Sequence, residues 1–351
     1  MSTGATTLSG APCPASPGLW ALAWKRLCRD RVGLASFAIV LLYLALMAAS
    51  AAGLVAGDWS REAGVSYAPP SFLGPGGAPS AERAAPGSAA ASGSPPEDLG
   101  IVDPLAAELA EIRKELTGVS VSEARVPTLA FGGDKWGRDV LKKAIKGTET
   151  SVLVGIVAAA LAVFLGALFG ALAGYYGGLV DDFFNWIYSV FTSIPYLLLV
   201  LAIAAVLNQK GTATVILILG LTGWTGTFRL VRAEYMKHKV REYVLAADAI
   251  GASNMQRMFG HIFPNVSHVV LVQLSLHVVL FIKSEVILSF LGFGVGVDTV
   301  SWGSMLNEAQ SELLLGQWWQ LVAATVAMAV LVTAFSLFTD ALRDALDPRL
   351  N

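Results

Sequence analysis

The sequence predicts an all-α integral membrane protein: six transmembrane helices, a charged helical hairpin between the fourth and fifth, and a long polar connection after the first. Three observations carry this. Of 351 residues, 55% are hydrophobic and only 14% charged, where soluble domains average about 25% charged. Mean hydropathy is +0.62. Stretches free or nearly free of Asp, Glu, Lys and Arg cover 32–57, 150–180, 183–209, 211–228, 266–297 and 313–339, each close to or beyond the ~18–20 residues that cross a ~30 Å hydrocarbon core as a helix. Backbone in lipid must satisfy its own hydrogen bonds, so runs of this length read as helices.

The N-terminal tail, 1–31, is rich in Ser, Thr, Ala and Pro at its start and lacks an early basic region, so a cleaved signal peptide is not expected. Cys13 and Cys28 both precede the first span, and two such thiols make neither a disulfide framework nor a metal cluster. A net charge of −2 gives no basic field for nucleic acid.

The first span, 32–57, leads into a connection over 58–147. Gly, Pro, Ala and Ser dominate 69–96, which cannot bury enough apolar surface to offset its ordering entropy and is expected to be disordered. Asp103 then reads as an N-cap with Pro104 at the first helical position; Leu105, Leu109, Ile112 and Leu116 follow at helical spacing, predicting a short amphipathic helix over 103–117.

The remaining membrane core is expected over 148–340. In the second span Gly166, Gly170 and Gly174 continue the row of Ala158 and Ala162 at four-residue intervals. Residues four apart share a helix face, so this is a strip along which another helix can approach closely. The third and fourth spans are read as continuous helices. In the fifth, Gln273, His277 and Ser284 fall on one side of an otherwise apolar helix, and intramembrane polar groups face a bundle interior or a water-filled path; they are the candidate lining of a translocation path. Lys283 and Glu285 point to nearly opposite faces. His268 and His277 have no carboxylate or thiol beside them, so a metal site is not expected.

Between spans four and five, 237–264 is charged and amphipathic and must lie in water. Tyr243, Ala246, Ala247 and Ile250 share a face of its first helix; Gly251 supplies a left-handed stop. Ser253 and Gln256 have capping-box spacing. Met255, Met258 and Phe259 offer an adaptable apolar surface, and Pro264 is expected to stop the helix before span five. A DNA-reading helix–turn–helix has a similar outline, but this hairpin is tethered by spans at both ends. It is a handle for another protein.

Basic residues set the orientation. Lys25, Arg26, Arg29 and Arg31 precede span one, Arg229, Arg232, Lys237, Lys239, Arg241 and Arg257 surround the hairpin, and Arg343 and Arg349 lie at and beyond the last span, in the tail 341–351. The connection 292–316 has no Lys or Arg but carries Asp298, Glu308 and Glu312. Both termini and the hairpin are therefore expected in the cytoplasm. Lys135, Arg138, Lys142, Lys143 and Lys146, just before span two, run against this rule.

The hairpin's spacing, Ala246-Ala247, then Gly251, then Pro264, resembles the coupling loop of ABC-importer permeases. Phe131-Gly132-Gly133-Asp134-Lys135-Trp136-Gly137-Arg138-Asp139-Val140-Leu141 is similar to a segment of the dipeptide and oligopeptide group, as are Gly174-Tyr175-Tyr176-Gly177-Gly178, Leu288-Ser289-Phe290-Leu291-Gly292-Phe293-Gly294, Ser301-Trp302-Gly303 and Asp340 to Arg349. Departures are Gly133 for Thr, Leu245 for Glu, Phe263 for Leu, and the insertion over 58–131. The resemblance implies the second ("C") permease of a peptide importer in the bacterial inner membrane. It implies Glu242, Tyr243, Ala246, Ala247, Gly251, Ala252, Met255 and Pro264 as the ATPase-coupling set. The partners implied are a second permease, two ATPase subunits and an extracytoplasmic binding protein. With no Walker-type loop in this chain, ATP and Mg belong to the ATPases and the chain binds no cofactor. Close relatives of such permeases carry nickel or peptide-like antibiotics. A secondary transporter would be expected to show embedded acidic sites or inverted repeats, and a membrane enzyme a convergent catalytic constellation; neither is evident.

Overall fold

The structure, a computed structural model, describes residues 26–74, 125–296 and 298–346. Helix α1, Arg31–Ala51, starts where Asp30 Oδ1 accepts the Val32 N–H at 3.0 Å. The chain then folds into a compact pad with the segment entering the second span. The Gly64 N–H donates to Gly137 O at 2.9 Å, the Gly133 N–H to Ala68 O at 2.8 Å, and Pro70 pairs with Leu129. Gly137 has φ +79 and a Cβ there would lie 2.0 Å from Gly64 O, so the close approach requires glycine. The expectation of disorder from residue 69 is corrected for 69–74: Ser71–Leu73 form a 3-10 turn, and Phe72 packs on Phe131 and Trp318. The helix expected near 103–117 lies outside the described residues, as does the rest of 75–124.

Helix α2, Val140–Tyr176, is 37 residues long and starts ten residues before the expected second span. Asp139 caps it by accepting from the Leu141 and Lys142 amides. That extension lifts Lys142, Lys143 and Lys146 into the helix. Each is paired: Lys142 with Asp58, Lys143 with Asp134 and Glu308, Lys146 with Glu149. The orientation rule counts basic residues and not net charge, so these paired lysines still run against the orientation that the other basic segments set.

The third span is not one helix. Helices α3, Gly178–Thr192, and α4, Tyr196–Leu207, meet at 84°. Pro195 causes the break, because it lacks an N–H and crowds the preceding turn. The fourth span is divided at Gly223 into α5, Thr212–Thr222, and α6, Thr225–Lys239. The hairpin helix α7 covers Glu242–Ala249, and a π-helical stretch, Gln256–Ile262, feeds directly into α8, Phe263–Phe290. Pro264 therefore does not stop the helix. In the π turn the Phe263 amide reaches back five residues to Met258 O, and Pro264 falls in the first turn of α8, where its missing N–H costs little. Helix α9, Trp302–Leu314, was not foreseen; Ser301 and Ser304 cap it reciprocally. Helix α10, Trp319–Leu346, closes the fold. Five helices are long and apolar enough to cross a membrane, six with the bent α3–α4 pair. Among the described residues there is no strand beyond isolated bridges.

Packing centres on α2. A Cβ at Gly166 would lie 2.5 Å from Trp224 O, at Gly170 2.8 Å from Phe228 O, and at Gly174 2.6 Å from Arg232 O. The glycine strip thus brings the helix α6 against α2 almost backbone to backbone. Glu285, fully buried in α8, accepts from Ser151 Oγ of α2 and from Ser289 Oγ, both at 2.7 Å. The Trp302 amide donates to Ser151 Oγ at 3.3 Å, extending the chain of bonds to α9. A buried carboxylate satisfied in this way fixes the register of three helices.

Candidate functional site

Two regions emerge: the hairpin at one end of the bundle and the polar side of α8. In the hairpin, Gly251 has φ +86 and the Ala252 N–H returns to Ala247 O at 3.0 Å, closing α7 with a left-handed turn. Ser253 and Gln256 then bond reciprocally, amide to side chain, at 2.9 and 3.3 Å. Arg257 pairs with Asp248 across the turn, and Tyr175 Oη of α2 donates to Asn254 Oδ1 at 3.0 Å.

Val244, Met258 and Ile262 are buried with Tyr175, Val231 and Tyr235, so the hairpin is rooted on the ends of α2 and α6. This corrects two assignments. Ala247, expected in the docking set, is 4% exposed and faces inward, and Met258 is fully buried. Met258 packs with Val244 of α7 and with Val231 and Tyr235 of α6. Glu242, Tyr243, Ala246, Gly251, Met255 and Pro264 lie at the surface and Ala252 is half-buried. Leu245, Ile250 and Phe259 join them: Ile250 is 85% exposed and Met255 60%. Ile250, Gly251, Ala252, Gln256, Gly260 and His261 line a shallow depression. Tyr243 Oη is 2.9 Å from His238 Nδ1, and partial burial raises its phenol above the ordinary tyrosine value. An exposed apolar rim on a rooted, capped element suits a protein partner.

On α8, the expected polar stripe divides. His277 is buried, with Nδ1 2.8 Å from Gln273 O and Nε2 3.1 Å from Gly223 O. Ser284 is buried and donates to Leu280 O at 3.0 Å. Both face this chain's own core, which corrects their assignment to an open path; helical-wheel position shows that groups share a side, not which side is covered. Gln273 is half-buried, and Leu276, Leu280, Lys283 and Ile287 are exposed. At 100° per residue these five fall within an arc of about 80°, a single uncovered face. Among the described residues no group of His, Cys, Asp or Glu is arranged to hold a metal.

Sequence reading missed one further cluster, at the opposite end of α2 from the hairpin. It joins Lys143 to Asp134, Glu308 and Gln320, the last 177 positions away in sequence. A lysine four residues after the Asp139 cap, at the head of an apolar run, was the available signal.

The comparisons agree with this architecture. The model of the binding-protein-dependent transport system inner membrane component matches residues 166–351. The chain is similar to the dipeptide transport system permease protein DppC of Bacillus subtilis, 35% identical over 72% of this chain and 78% of that protein. It is similar to the oligopeptide transport system permease protein OppC of the same organism, 35% identical over 63% and 72%. The dipeptide permease DppC of Haemophilus influenzae is 34% identical over 64% and 75%. With its family match spanning more than half its length and its apolar helices crossing the membrane, the chain belongs to the binding-protein-dependent transport system inner membrane components, as a multi-pass permease of the inner membrane.

Proposed function

We propose that this chain is the second permease of an ATP-driven importer of di- and oligopeptides. The observation that carries the substrate class is the 35% identity to a dipeptide permease over 255 residues. In this reading a second permease completes the path, two ATPase subunits engage the hairpin, and a binding protein delivers peptide at the other end. The chain itself is non-catalytic; ATP and Mg reside on the ATPases. Its termini and hairpin lie in the cytoplasm, supported by the basic residues around the hairpin and before the first span.

The ATPases close on nucleotide and pull on the exposed rim of Tyr243, Leu245, Ile250 and Met255. Because Val244, Met258 and Ile262 root the hairpin on α2 and α6, the pull reaches the spans as rigid-body rocking, a two-state equilibrium biased by nucleotide. The path runs along the α8 face of Gln273, Leu276 and Leu280, whose single amide can bond peptide backbone without reading side chains. Uptake of labelled dipeptides, tripeptides and longer peptides, alongside nickel, in a deletion strain tests this. Loss of peptide uptake, restored by the gene, is expected; loss of nickel uptake alone would overturn the substrate class.

A further inference from the structure

Lys143 is 1% exposed, and its Nζ lies 2.8 Å from Asp134 Oδ2, 2.5 Å from Glu308 Oε2 and 3.4 Å from Gln320 Oε1. Four elements meet there: the pad before α2, α2, α9 and α10. One ammonium already serves two carboxylates. Glu312, four residues beyond Glu308 and so on the same face of α9, brings a third. It is 1% exposed, and neither of its oxygens has a hydrogen-bond partner; the nearby Lys135 amide does not complete one. Gln317 Oε1, just past the helix, is likewise buried without a donor. An ionised carboxylate is not kept dry and unbonded at such a place. One proton on Glu312 removes the charge and turns one of its two oxygens into a donor.

We infer that Glu312 is a proton-binding site, occupied while this four-element cluster is closed and vacated when it opens during the transport cycle. The inference rests on the transport reading for its cycle, but the site stands on the geometry. The ionisable groups facing Glu312 are Lys143 from α2, Glu308 from α9, and Asp134 and Tyr67 from the pad; α10 contributes the neutral Gln320. Burial raises the Glu312 carboxyl most, Lys143 opposes it, and Glu308 and Asp134 add to the rise, bringing it from 4.5 to about 7. Tyr67 is raised by its own burial and by the negative charge of Glu312 and Asp134. The sign follows: the closed cluster binds the proton more tightly than the open one. Its closure is therefore fully favoured below about 4.5, weakens as pH rises toward about 7, and is level above that. The proton comes from water on the side opposite the hairpin and returns to it.

The test uses the complete importer, purified through this subunit, in lipid nanodiscs. Infrared difference spectra between about pH 5 and about pH 9 should contain a protonated-carboxyl band titrating near neutrality, lost in Glu312→Gln. Glu308→Gln should move its midpoint downward, because a neighbouring negative charge is gone. In vesicles, the dependence of uptake on the pH of the hairpin-distal side should change several-fold through neutrality for the unmodified importer and flatten in Glu312→Gln. A titrating band that survives Glu312→Gln, or one whose midpoint Glu308→Gln leaves in place, overturns the site. A pH effect arising only from the hairpin side overturns the orientation and leaves the site standing. The infrared arm reads the site whatever the importer carries.

Discussion

His277 Nε2 lies 3.1 Å from the carbonyl oxygen of Gly223, joining the middle of α8 to the break between α5 and α6. The other ring nitrogen faces Gln273 O at 2.8 Å. A neutral imidazole has one N–H, so it serves one carbonyl at a time. Phe281 packs beside the ring and would lie 2.3 Å from a Cβ at Gly223, leaving no room for a larger residue at the break.

Replacing His277 by Leu should therefore lower the stability of the purified complex by about 1–3 kcal/mol, the cost of losing a buried donor. His277→Gln, which keeps an N–H, should lose less. Thermal unfolding followed by intrinsic fluorescence separates the two; equal losses would mean that ring volume, not the hydrogen bond, holds the seam.

Thiol accessibility should divide α8 by face. In a background lacking Cys13 and Cys28, cysteine at Gln273, Leu276 or Leu280 should react with an impermeant thiol reagent in one nucleotide state. Cysteine at His277 or Ser284 should stay protected in both. Labelling at 277 together with protection at 276 would rotate the helix and remove the proposed path.

The glycine strip of α2 should be intolerant. Gly166→Val places carbon against Trp224 O, where a Cβ alone would come to 2.5 Å. Overpacking of this kind costs about 1–3 kcal/mol. Melting temperature and detergent resistance should both fall, while Gly260→Ala, where nothing lies within 4 Å, should leave them unchanged.

The two faces of the hairpin should fail differently. Ile250→Asp puts a charge on the exposed rim and should abolish ATPase co-purification without changing the melting of this subunit. Ala247→Asp puts a charge at a position that is 4% exposed and should destabilise the hairpin itself by several kcal/mol. Pull-down of the ATPase by Ile250→Asp at unmodified levels would move the docking surface elsewhere.

What was legible in the sequence divides along physical lines. Hydropathy located the membrane segments, because burial in lipid requires long apolar runs. The Gly251 turn and the Ser253–Gln256 cap were legible because they depend on neighbours a few residues apart. Hydropathy could not see the 84° bend, since Ser193-Ile194-Pro195 is as uncharged as its surroundings, although Pro195 was the available sign. Pro264 misled because a π turn, invisible to periodicity at 3.6 residues, accommodates it. The inward turn of His277 and Ser284 was illegible because their covering groups come from other helices. The Lys143 cluster escaped because its members join only once the chain has folded, and α9 escaped because its apolar face is short and its cap is two serines.

The unbroken length of α2 has a mechanical consequence. Thirty-seven residues at 1.5 Å each make a rod of about 55 Å, with Lys143 near one end and Tyr175 bonded to the hairpin's Asn254 at the other. The third span is bent by 84° at Pro195, whereas α2 runs unbroken from Val140 to Tyr176. Pivoted at one end, such a rod turns a tilt of about 10° into a sweep of nearly 10 Å at the other, by its length alone. In the proposed cycle, a small tilt at the hairpin end is thereby geared up to a displacement wide enough to pass a peptide.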